Sequence, residues 1–185
     1  MRAANLGWAE PSSTCQPGDR IPEVDPCRDQ RRFGIHRDNE TVGSEMGDLA
    51  DAYLRYNRRS RAEAAMGRKL DPQDADAEAI DRVLDFGLTD DVESLWAVNI
   101  ELIRRCQSID ELSFLAAGPV EDMLVRIGDD EVDAVLKRAS EDPRWRYAIA
   151  GTYTSRMTPR LAAAIEKIQR ESSAHERQAE TGLAP

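Results

Sequence analysis

Histidine is nearly absent from this 185-residue chain: His36 and His175 are its only two, and neither lies within a patterned stretch. The commonest general base and metal ligand is therefore missing where a core forms, which leaves carboxylates, lysine, tyrosine or a thiol for any catalysis. The three cysteines, Cys15, Cys27 and Cys106, are an odd and scattered set with no C-x-x-C pair. A disulfide framework is not expected from them. Cys15, Cys27 and His36 also lack a fourth ligand for a tetrahedral zinc site, so neither a metal nor a cofactor is expected.

Long apolar runs are missing too. The longest uncharged stretches, Leu112 to Val120 and Tyr147 to Ser155, have nine residues each, against the roughly 20 that a membrane-spanning helix needs. Residues near the N-terminus form no continuous apolar segment of the kind a secretory leader carries, so a soluble, cytoplasmic protein is the expectation. Positive charge is in deficit, with 25 Lys and Arg against 35 Asp and Glu, a net charge of -10. General nucleic-acid binding needs the opposite balance, and nucleic acid is not expected as a partner.

What the sequence does have is apolar residues at helical spacing. Leu49, Ala52, Tyr53 and Tyr56 fall at i, i+3, i+4 and i+7, and Ile80, Val83, Leu84 and Gly87 repeat that pattern. It recurs at Val92, Leu95, Trp96 and Asn99, then Ile103 and Cys106, and again at Val120, Met123, Leu124 and Ile127. Val132, Val135, Leu136 and Ala139 follow, then Trp145, Ala148, Ile149 and Thr152, and finally Leu161, Ala164, Ile165 and Ile168. Such stripes mark buried helix faces and place Trp96, Trp145 and Cys106 in a core. Asp71-Pro72, Asp142-Pro143 and Thr158-Pro159 each set a capping residue before a proline at the first helical position, as helix starts do. Ser108 with Glu111 reads as a capping box, Thr89 as a further start, and Gly128 as a stop. The expected fold is all-α: a compact irregular bundle of short helices, with HEAT-like hairpin layering as a variant. Its domain spans 46–171.

The flanks lack this pattern. Residues 1–45 hold four of the nine prolines and no periodic apolar face, and read as a disordered tail, with Met46 as an alternative start. Residues 172–185 are polar and read as a frayed end.

Charge is segregated along the chain. Residues 55–69 carry six basic side chains and one acid, whereas 71–93 carry nine acids and one base. Arg55, Arg58 and Arg59 share a helical face and could line an RNA strip. The adjoining acidic block favours mutual neutralisation within the molecule, because it repels a polyanion over a Debye length of roughly 8 Å.

The stretch AAGPVEDML at 116–124 places Gly118 and Pro119 ahead of two carboxylates. With Pro119 at the first helical position, Glu121 is placed to cap the first-turn amides and Asp122 to pair with Arg126 four residues on. A catalytic pair is less well served, since adjacent helical residues splay by roughly 100°.

That stretch, with LWAVNIELIRRC upstream and Asp142-Pro143 leading into RWRYAI downstream, resembles a bacterial family, domain of unknown function 6869. The resemblance covers roughly 92–153, with Val120 and Met123 where leucines are expected. It implies a family label, and no activity, ligand or catalytic residue.

The functional expectation is a non-catalytic protein-interaction module, adaptor or immunity-like, whose partner is another protein. The alternative is a hydrolytic or transferase enzyme using Glu121 and Asp122, for which Arg144, Arg146 and Tyr153 must converge on the two acids. These five residues are the candidate binding set, and no catalytic residue is assigned.

Overall fold

The computed structural model describes residues 40–71, 73–171 and 173–184, which belong to one unit, 36–185. Among the described residues every regular element is helical: α1 (Glu40–Ala65), α2 (Ala77–Leu88), α3 (Val92–Arg105), α4 (Ile109–Leu115), α5 (Glu121–Arg126), α6 (Val132–Glu141), α7 (Pro143–Ala150), α8 (Pro159–Glu171) and α9 (Ala174–Thr181). One π-helical turn, Ala116–Val120, joins α4 to α5. No described helix is long and apolar enough to cross a membrane.

The apolar stripes become the core. Leu95, Val98, Leu102 and Ile103 of α3 and Trp145, Ala148 and Ile149 of α7 are fully or almost fully buried. Those two helices carry the rest. On α3 lie α1, α2 and α5; on α7 lie α4, α6, α8, α9 and the π turn. Contacts of α7 with α3 and with α4 span more than one helical hairpin, which closes a bundle, where a solenoid unit touches only its neighbours. Trp96 meets Trp145 edge to face, with ring centres 5.2 Å apart, and the Arg138 guanidinium lies 5.6 Å over the Trp145 ring. Burial pushes the Cys106 thiol up to about 12, the behaviour of an inert core cysteine.

The expected helix starts hold at two of the three prolines. Asp142 accepts from the Arg144 and Trp145 amides ahead of α7, and Thr158 Oγ1 from the Leu161 amide ahead of α8. At the third, Asp71 Oδ1 accepts from the Gln73 amide at 2.9 Å in a turn, and α2 begins only at Ala77. Asp76 sits at the N-cap without a capping bond, because its carboxylate is spent on Arg55 and Arg59. Thr89 closes α2 by bonding Asp85 O, and Asp91 caps α3 through the Ser94 amide. Ser108 caps α4 as expected, but Glu111 reaches the Gln107 amide, one residue earlier than a capping box requires.

Both flanks differ from expectation. Residues 1–39 of the expected tail lie outside the described residues, but 40–45 already belong to α1, whose Glu45 pairs with Arg82 of α2. The end of the chain is not frayed where it is described. Ser173 and Glu176 form a reciprocal capping box that starts α9, and Gly182 at φ 66° closes it. Arg177 and Thr181 are buried, Arg177 reaches the last carbonyls of α8, and Ala184 O accepts from the Ile109 amide at 2.9 Å. Polar composition hid this helix because its buried contacts are made by an arginine stem and a threonine.

Candidate functional site

The Gly118-Pro119 motif lies where α4 turns into α5. Proline offers no amide to the helix ladder, and the chain accommodates it with the π turn, inside which Gly118 leaves helical geometry at φ -135°, ψ -112°. Buried Asn99 of α3 ties the turn down, its Nδ2 donating to Pro119 O at 3.0 Å and to Leu95 O at 2.8 Å. Its Oδ1 is buried without a hydrogen-bond partner among the described residues. From the other side α7 closes in: a Cβ on Gly151 falls 3.1 Å from Ala116 Cβ, whereas a Cβ on Gly118 meets nothing within 4 Å. Of the two glycines, Gly151 is the one in close contact.

Glu121 opens α5, yet it does not cap its own helix. Its Oε2 accepts from the Tyr153 amide at 3.3 Å, pinning the loop that follows α7. The expected Asp122–Arg126 pair is loose, 3.8 Å at its closest, because Arg126 Nη1 donates to Asp122 O at 2.7 Å and its Nε lies 3.3 Å from Asp90 in the α2–α3 link. Asp90 holds a left-handed φ of 55° there, a conformation asparagine and aspartate tolerate best among residues with a side chain.

The other candidates have separate duties. Arg144 Nη1 donates to Arg104 O at 3.1 Å and approaches Cys106 O at 3.5 Å, closing the end of α3. Arg146 pairs with Glu180 of α9 at 3.4 Å. Tyr153 meets Glu121 through its backbone, and the residue is 73% exposed. Of the five, the structure joins Glu121 with the Tyr153 backbone, while Asp122 lies beside Arg126 of its own helix and Arg144 and Arg146 each engage another element.

The basic block of α1 is a clamp. Arg55 grips Asp76 with two bonds, Arg59 reaches Asp74 and Asp76, and Arg58 grips Glu111 at 2.6 and 3.0 Å. The two arginines hold the Asp76 carboxyl well below the usual range, at about 2. Burial opposes charge on Glu111, but hydrogen bonds from Arg58 and the Gln107 amide outweigh it and lower that carboxyl as well. Arg58, Arg61, Glu111 and exposed Phe114 rim a small recess of about 220 Å³, in which Arg61 pairs with Asp110.

The outer face of α2 went unread in the sequence. Ala79, Val83 and Gly87 face the core, while Leu84 and Leu88 are 50% and 78% exposed. Leu84, counted with the buried stripe, belongs to the surface. At 3.6 residues per turn Leu84 stands roughly 100° and Leu88 roughly 140° round the helix from Val83. That angle was the available signal: adjacent residues such as Val83 and Leu84 cannot share the centre of one face.

Residues 69–173, more than half of the chain, match the family of unknown function DUF6869. No curated protein and no solved structure matches the chain. The matched span runs past the motif in both directions, taking in α2, the π turn and α8 and leaving α1 and α9 outside. This chain belongs to the family of unknown function DUF6869.

Proposed function

We propose that the protein is a cytoplasmic, non-catalytic interaction module, adaptor-like or immunity-like, that works by docking another protein. The observation that carries this reading is the pair Leu84 and Leu88, four residues apart on one helix face and exposed by 50% and 78%. Single exposed leucines are ordinary, but neighbouring ones on a regular element offer a partner apolar area at little ordering cost. The acids of the motif fit scaffolding, because Glu121 spends its carboxylate on the Tyr153 amide and Asp122 lies beside Arg126.

The test compares two double variants in the native host, with melting curves as the control for folding. Leu84→Ser with Leu88→Ser should abolish co-purification of a specific protein and the associated phenotype without lowering the melt. Glu121→Gln with Asp122→Asn should retain both. The reverse pattern, function lost only with the acid variants at unchanged stability, sinks the docking reading and favours the enzyme.

A further inference from the structure

We propose that the outer face of α2 takes a basic amphipathic helix of a partner protein, with Leu84 and Leu88 seating its apolar edge and Asp81 and Asp85 its Lys or Arg side chains. This rests on the docking reading above and adds the chemistry of the occupant. The acidic block at 71–93 divides by partner. Asp74 and Asp76 are consumed by α1, Asp90 lies beside Arg126, and Asp91 caps α3. Asp71, Glu78, Asp81, Asp85 and Glu93 remain, all exposed and none ion-paired within the described structure; of these Asp81 and Asp85 lie beside the leucine edge of α2. At about 100° per residue they stand next to Leu88 on the side away from Leu84, so the outer face is leucine along one edge and aspartate along the other. Arg82, the one cation of α2, is paired with Glu45 of α1 and leaves that charge unanswered.

A helix laid in such a position meets both edges at once, which calls for apolar residues at i and i+4 with Lys or Arg on the adjoining stripe. Other occupants fit worse. A two-fold contact with a second copy sets the acidic face against itself, since such an interface uses the same patch twice. Nucleic acid and anionic lipid surfaces are repelled by the same carboxylates.

The test uses the full chain as bait for a displayed library of random 20-residue peptides, followed by affinity measurements on the enriched peptides made synthetically. The expected peptides pair two apolar residues four apart with Lys or Arg. Their binding should weaken about tenfold or more in Leu84→Ser/Leu88→Ser. It should also weaken severalfold in Asp81→Asn/Asp85→Asn and with added salt. Peptides that lose binding with the leucine variant but lack basic residues, and ignore the aspartate variant, overturn the basic-helix proposal while leaving the docking reading in place. No enrichment, or peptides indifferent to both variants, overturns the proposal and counts against docking on α2. Dimerisation of the bait by sedimentation, lost in the leucine variant, overturns it in favour of a second copy.

Discussion

Asn99 and Gly151 hold the motif in place, one by hydrogen bonding and the other by close contact. Asn99→Ala removes the buried hydrogen bond to Pro119 O and should cost about 1 kcal/mol in denaturant unfolding. Gly151→Val adds a branched side chain whose Cβ alone would stand 3.1 Å from Ala116 Cβ, so it should cost about 1–3 kcal/mol and lower the melt by several degrees. A neutral result at either position shows that the π turn is held by something else. The sequence made Asn99 readable as a core position, but not what it bonds, because its partner is a carbonyl twenty residues away, freed only once the chain has folded. The Gly118-Pro119 pair reads as a helix start in the sequence, whereas the close contact falls on Gly151, where α7 ends against Ala116.

Among elements, the α1–α2 clamp is the one with a pH signature. Asp76 has a folded-state pKa of about 2, below the ordinary aspartate value of about 3.9. Its contribution is complete above about pH 4 and is lost as pH falls toward 2, because the unfolded chain takes up the proton first. Wild-type stability should therefore fall across that window, and Asp76→Asn should fall less steeply while starting lower at neutral pH. Equal slopes in the two proteins contradict the clamp. Charge blocks in the sequence pointed to α1 neutralising its acidic neighbour, and Asp74 and Asp76 do this. Arg58 pairing with Glu111 of α4 was out of reach, since local charge counts carry no information about contacts fifty residues away. Helix periods were legible because burial imposes them; α9 was missed because its buried side chains are polar, although Ser173-x-x-Glu176 stood in the sequence as a cap.

For the whole molecule, the family span from α2 to α8 is braced at both ends by helices outside it, α1 and α9. Removing 172–185 should lower the melt by about 4 °C or more, through loss of the Arg177 and Thr181 contacts and the bond from the Ile109 amide to Ala184 O; about 1 kcal/mol is enough for such a shift. An unchanged melt shows that α9 is dispensable. At the other end, cutting after residue 45 should leave a less stable protein than cutting after 39, because it removes the first turns of α1 and the Glu45–Arg82 pair. That difference checks where the folded unit begins.

The central claim, that the protein works through the outer face of α2 and not through Glu121 and Asp122, is most directly tested by site-specific photo-crosslinking in the native host. A photoreactive side chain at position 88 should give one discrete protein adduct, which disappears when Asp81 and Asp85 are replaced by lysine. The same side chain at position 153, beside Glu121, should give none. A discrete adduct from 153 with none from 88, in proteins of equal stability, contradicts the account and returns the functional site to the Gly118-Pro119 motif.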